Sequence, residues 1–285
     1  MDRRLDPPPA KRQRAVEGFA TTAADLRALV EPVAAVFGIG GTVHLELSDA
    51  RLKASRFSDT GTHAVETSFT PANAAFARTA LQPSYECRVS ARAVTACLAG
   101  VPDECYLSLC PEEGRLCVSH YADGVLSLAT SRLALHTGGT GGADDGWEKL
   151  LWSRAPLQVS LRALAGFARR ADDLSGVSCS FTQEASEDER HAAFLVLHCE
   201  TSECRSKGDV ELRVPISYDA VSESECHRVE HVPVSALSDA CFGFESVARP
   251  GDVLSLAMAP WGVLLAYSSR GLEVRAAILR YPRDA

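Results

Sequence analysis

The chain has 285 residues, a formal charge of −8, and 46% apolar against 23% charged residues. That length allows two domains of ordinary size or one large one, and the composition supports a packed core and excludes global disorder. The acidic balance excludes the plain nucleic-acid affinity of a basic protein, although a local basic surface can coexist with an acidic exterior. No stretch approaches the roughly 18 uncharged apolar residues of a membrane helix, and the N-terminus has no apolar signal core, so a soluble intracellular protein is expected.

In chain order, residues 1–16 are rich in Pro, Arg and Lys and read as a mobile basic tail. Within it "PPPAKRQR" resembles a short nuclear-import signal, carried by Lys11, Arg12 and Arg14, so a nuclear location is expected. From Asp25 to Phe37 the apolar residues Leu26, Leu29, Val30, Val33 and Phe37 form a helical stripe, with Pro32 expected to kink it or restrict its start. "TVHLELS", "ARLKASRFS" and "THAVETSFT" alternate like antiparallel strands, with turn signals at Asp49-Ala50 and Asp59-Thr60-Gly61. A short helix is expected over Pro71 to Thr79, a strand at "SYECRVS" and a second helix over Ala91 to Leu98. A three-strand meander follows, from Asp103 to Leu133.

"HTGGTGGADDG", His136 to Gly146, is the best linker in the chain and sits near its middle. After it the order restarts. "APLQVSL" reads as a strand, and Ser160 to Leu174 as a helix with Leu161, Leu164, Phe167, Ala168 and Ala171 on one side. "GVSCSFTQ", "HAAFLVLHCE", "GDVELRVPISY" and "HRVEHVPV" read as strands, with Glu184 to Arg190 a charged hairpin loop. Ser235 to Val247 reads as a helix striped by Leu237, Cys241 and Phe244, with Ser235 as its N-cap. A second meander, Gly251 to Tyr281, closes the chain. Aligning the halves pairs Cys97 with Cys241, Leu107 with Leu254 and Gly114 with Gly262, at offsets of 144, 147 and 148. An internal duplication of a β-rich module with two helices is the reading.

Catalytic signatures are missing from the sequence: it has no P-loop, no G-x-S-x-G and no H-E-x-x-H. The ten cysteines include no C-x-x-C pair, and the histidines show no ligand spacing, so no metal, cofactor or catalytic residue is expected. Asp144-Asp145 and Asp172-Asp173 are explained by solvation or helix-end placement. What the helices do offer is cations. Arg162 and Arg169 are seven apart and share a face, with Arg170 beside them, opposite the apolar stripe. Arg27 and Arg92 lie off the stripes of the first two helices. The last helix instead presents Asp239 and Glu245.

This organisation resembles the PCNA-type sliding clamps. Within that family "YDAVSESECHRVEHVPVSAL" (Tyr218 to Leu237), "DVLSLAM", the closing "VRAAILRYPRD" and "ECRVSARAVTACLAG" (Glu86 to Gly100) are similar to the Rad-one subunit of the nine-one-one checkpoint clamp. The resemblance implies an α+β fold of two tandem clamp domains, each an antiparallel sheet with two helices on one face. The expected limits are a tail over 1–16, domains over 17–135 and 153–285, and a connector over 136–152. It further implies a non-enzymatic subunit of a heterotrimeric ring around double-stranded DNA, acting in checkpoint signalling and repair. Its partners would be two other clamp subunits, an ATP-dependent clamp loader, and checkpoint and repair proteins. Arg27, Arg92, Arg162, Arg169 and Arg170 would face DNA phosphates without reading bases. The alternatives are a monomeric viral-type polymerase processivity factor and a hydrolase with a dispersed active site.

Overall fold

Residues that alternate in sequence alternate in burial: in "TVHLELS" Val43, Leu45 and Leu47 are buried, while the residues between them stay partly exposed. A computed structural model describes residues 19–38, 40–48, 51–70, 84–122, 127–136, 156–185, 193–203, 206–216, 226–249 and 251–281. The basic tail with Lys11, Arg12 and Arg14, the expected helix over Pro71 to Thr79, the charged loop beyond Ala185 and the linker beyond His136 lie outside the described residues.

The described elements form two series with one order. The first is β1 (Phe19–Thr22), α1 (Ala23–Phe37), β2 (Thr42–Ser48), β3 (Leu52–Phe57), β4 (His63–Phe69), β5 (Ser84–Ser90), α2 (Ala91–Cys97), β6 (Tyr106–Glu112), β7 (Arg115–Ala122) and β8 (Ser127–Ala134). The second is β9 (Leu157–Ser160), α3 (Leu161–Asp173), β10 (Ser178–Ala185), β11 (Ala193–Glu203), β12 (Ser206–Ile216), β13 (Arg228–Pro233), α4 (Val234–Glu245), β14 (Val253–Ala259), β15 (Gly262–Ser269) and β16 (Leu272–Leu279).

Pairing repeats as well. The order β1-β6-β7-β8 recurs as β9-β14-β15-β16, and β5-β2-β3-β4 recurs as β13-β10-β11-β12. The two middle sets fuse: β4 pairs antiparallel with β16, so one eight-stranded sheet runs β5-β2-β3-β4-β16-β15-β14-β9 across both halves. Among the described residues β8 and β12, the counterparts of β16 and β4, are outer strands of their sheets. One apolar cluster backs the sheets and runs through both halves.

The register corrects the sequence alignment in detail. β14 and β15 start and end 147 residues after β6 and β7, so Leu107 does match Leu254. Both hairpins turn over two residues, which places Gly114 opposite Trp261 rather than Gly262. Aligned on their N-caps Ser90 and Pro233, α2 and α4 match Cys97 with Ala240. The same tie enters both long helices: Ala23 N–H donates to the Cys105 carbonyl at 2.9 Å, and Leu161 N–H to the Asp252 carbonyl at 3.0 Å. Thr22, Ser90 and Ser160 cap α1, α2 and α3 through side-chain oxygens. α4 departs from expectation, since Pro233 is its N-cap with no side-chain bond and Ser235 sits inside the helix. Pro32 sits inside α1, which continues to Phe37.

Candidate nucleic-acid interface

The four described helices pack side by side in the order α2, α1, α4, α3, all against the sheets. Gly243 allows a close approach of α4 to α1 in this row. A Cβ there would lie 2.6 Å from Val36 Cγ2 and 3.2 Å from the Pro32 carbonyl oxygen. Each helix buries the face its stripe marks: Leu26, Leu29 and Val33 on α1, Val94 on α2, Leu164 and Phe167 on α3, Leu237 and Phe244 on α4. The opposite faces of the row are open to solvent and carry its charges.

Those charges are unevenly used. Arg92 is exposed near the start of α2. Arg162 and Arg170 are exposed on α3 and share a cleft with Gly166 of α3 and with Val210, Glu211 and Leu212 of β12. Arg169 is exposed as well but is ion-paired with Glu245 of α4. Arg27 is spent differently. Its guanidinium donates to the Leu98 carbonyl at 2.7 Å, to the Val101 carbonyl and to Asp103, leaving the side chain 26% exposed. It thereby ties α1 to the turn that follows α2, where the Leu98 carbonyl also accepts the Val101 N–H at 3.0 Å.

The helices carry five arginines against Asp25, Glu31, Asp172, Asp173, Asp239 and Glu245. The row therefore has no net positive charge, and its exposed cations sit at its two ends, on α2 and α3. The middle, α1 and α4, shows acids and the aromatic Phe242, which is 60% exposed.

Behind the row, where the halves meet, His63 of β4 is buried and its ring stacks on Phe37 at 5.1 Å, and the Arg56 guanidinium lies 5.0 Å from the centre of the Phe37 ring. His63 Nδ1 lies 3.1 Å from Thr62 Oγ1, and Nε2 lies 3.8 Å from Asp239 of α4. Burial pushes the His63 imidazole below its ordinary range. Burial, then the charge of Asp172, raises the Asp239 carboxyl. Burial also raises the thiols of Cys87 and Cys241 to about 12 and Cys97 to about 11, and pushes Cys179 up. These sulfurs stay protonated at neutral pH, so they pack as small apolar groups rather than acting as nucleophiles. Among the described residues no three His, Cys, Asp or Glu side chains group as metal ligands. No described helix is long and apolar enough to cross a membrane.

The sequence thus located every arginine of the row but not its commitments. The partners Asp103 and Glu245 lie 76 residues from Arg27 and Arg169, and no local pattern announces them. The open edges β8 and β12 were equally hidden.

Neither a family model nor a curated protein sequence matches the chain. Solved structures do. The Proliferating Cellular Nuclear Antigen of Entamoeba histolytica superposes with a TM-score of 0.63 at 9% identity, over 93% of this chain and 99% of that one. A PCNA2–PCNA3 complex from Sulfolobus tokodaii superposes with a TM-score of 0.58 at 12% identity, over 92% and 98%. The chain has the fold of the PCNA-type sliding clamps, α+β with antiparallel sheets and helices on one side.

Proposed function

We propose that this chain is a subunit of a clamp that encircles double-stranded DNA and serves as a non-catalytic scaffold. The observation that carries the reading is the clamp fold over nearly the whole chain, with its helices aligned as one solvent-facing row. Arg92, Arg162 and Arg170 are the cations free to meet phosphates, through contacts that hold DNA without reading its sequence. Arg27 and Arg169 would have to leave their partners to do so. The division into domains at 17–135 and 153–285, joined by a connector over 136–152, belongs to the same proposal. So does nuclear import through Lys11, Arg12 and Arg14.

The finer form of the reading is a damage-checkpoint clamp of nine-one-one type, with two unlike clamp subunits as neighbours and an ATP-dependent loader. The similarity of Tyr218 to Leu237 and of the closing strand to the Rad-one subunit favours it. The PCNA2–PCNA3 complex shows that the fold also occurs in assemblies of unlike chains.

Retention on DNA tests the central claim. A ring loaded on a closed DNA circle stays on it and is lost when the circle is cut. Release on cutting is expected, with Arg162→Glu/Arg170→Glu shortening retention about tenfold and flattening its salt dependence. Binding that survives cutting would place the chain with processivity factors that grip DNA from one side.

A further inference from the structure

Close to the β6–β7 turn, the residues that face one another across β6, β7 and β8 are Cys110, Cys117 and Arg132. Their neighbours along the strands, Leu109, Leu116, Val118 and Leu133, belong to the main apolar cluster. Alternation therefore turns the two thiols and Arg132 to the other face of the sheet, away from the helices. The duplicated module supplies a comparison. Ala257 and Leu264 lie 147 residues after Cys110 and Cys117, and Leu264 faces Ala277 of β16. In the second half this row is a buried apolar patch shared with Ala64. One half thus fills the row with hydrocarbon, and the other with two thiols beside a guanidinium.

The two thiols differ in access. Cys110 is half-buried, with Ser108 Oγ at 3.3 Å from its sulfur, whereas Cys117 is buried. Burial, then a hydrogen bond to the Glu112 carboxylate, holds the Cys117 thiol above its ordinary range, against the pull of Arg132. Cys117 therefore keeps its proton, and a carboxylate stands beside it to take that proton.

Spacing allows a bond between them. Directly opposed residues of an antiparallel pair have Cα atoms about 4.5–5.5 Å apart, within the roughly 4.4–6.8 Å that a disulfide spans. Their Cβ atoms are also about 4.5–5.5 Å apart, at or beyond the upper limit of roughly 4.5 Å for a disulfide. The bond can close, but only by drawing the strands together. A disulfide closed against its ladder is easily reduced, which suits a reversible switch better than a permanent staple.

We propose that Cys110 and Cys117 are a reversible dithiol site whose co-substrate is a hydroperoxide. The Cys110 thiolate attacks the outer peroxide oxygen. The S–O bond forms, the O–O bond breaks, and the leaving oxygen takes up a proton and departs as an alcohol or water. The Cys117 sulfur then attacks the sulfenic acid on Cys110. The S–S bond forms, the S–O bond breaks, and the Cys117 proton passes by way of Glu112 to the leaving hydroxide, which departs as water. Two thiols lose two hydrogens and two electrons, and the hydroperoxide is reduced. A thiol reductant reopens the bond by exchange.

Hydrogen peroxide is the probe. The full chain is treated with a small excess, its remaining thiols are alkylated in urea, and a tryptic digest is weighed. Cleavage after Arg115 separates the two thiols, so their disulfide joins the peptide 93–115 to the peptide 116–132. That linked mass is expected, and dithiothreitol should abolish it. Cys117→Ser should lose the link and leave Cys110 as a sulfenic acid that dimedone traps. Cys110→Ser should lose the link and leave Cys117 fully alkylated. Urea melts of the reduced proteins check that both variants fold. Peroxide that leaves both wild-type thiols alkylated overturns the proposal, as does a link from either one to a different cysteine. So does a Cys117→Ser protein with no trapped sulfenic acid at Cys110.

Discussion

β4 and β12 hold the same place in the two halves, yet all seven residues of β4 are buried while β12 from Asp209 to Ile216 alternates between exposed and covered positions. The sequence difference follows the burial. Glu66 is 4% exposed and is answered by Lys53 Nζ at 3.0 Å, with Arg51 at 3.6 Å. Its counterpart Glu211 is exposed and bonded only at 2.9 Å to Arg213 on its own strand among the ion pairs described. One strand is the middle of a sheet and the other an edge. The module is the same, and what differs is whether the chain itself supplies the neighbour.

The largest contrast should come from deleting those two carboxylates. Glu66→Ala removes the nearer carboxylate from a largely covered Lys53 ammonium, leaving it Glu46 at 3.7 Å, and should cost about 1–3 kcal/mol. Glu211→Ala should stay within about 0.5 kcal/mol. Urea midpoints compare the two, and equal losses would mean that the seam and the edge are not energetically distinct. Next in size is the contact between α1 and α4. Gly243→Ala drives a Cβ against Val36 and the Pro32 carbonyl and should cost about 1–2 kcal/mol. Gly166→Ala on α3 acts the other way. Nothing lies within 4 Å of a Cβ there, and its counterpart on α1 is already Ala28. A gain of about 0.5–1 kcal/mol in thermal or urea stability is expected.

The smallest effect is the pH response of the junction. His63 is held below its ordinary pKa of 6.5 by burial. The folded state therefore keeps its full stability above that value and loses it as pH falls through the lowered pKa. Asp239, shifted upward by burial, contributes with the opposite sign and is present in wild type and His63→Phe alike. Urea midpoints measured from pH 7 to pH 5 should fall more steeply for the wild type than for His63→Phe. Parallel slopes would remove the histidine from the account.

Much of the architecture could be read from the sequence because alternation and helical stripes are local. β2, β3, β6, β14 and the apolar face of α3 all follow from spacing. β1 is not legible in the sequence, since four residues are too few to show a period and only pairing with β6 defines them. The β4–β16 seam joins residues about two hundred positions apart, and nothing in either strand names the other. The sequence puts Arg27, Arg92 and Arg162 on their helices, but a helix wheel gives direction without reach. Arg27 extends sideways to the end of α2, and that depends on where the loop from Leu98 to Asp103 folds. Ser235 was a sound cap by residue type. The chain enters α4 through Pro233 instead, because the β13 ladder runs up to that residue.

The ladder between β4 and β16 also has a mechanical meaning. Flexing the chain at its midpoint would shear a run of backbone hydrogen bonds along seven paired positions, so the two halves behave as a single stiff plate. Any bending that a larger assembly undergoes is then passed outward, to the rims where one plate ends and the next begins.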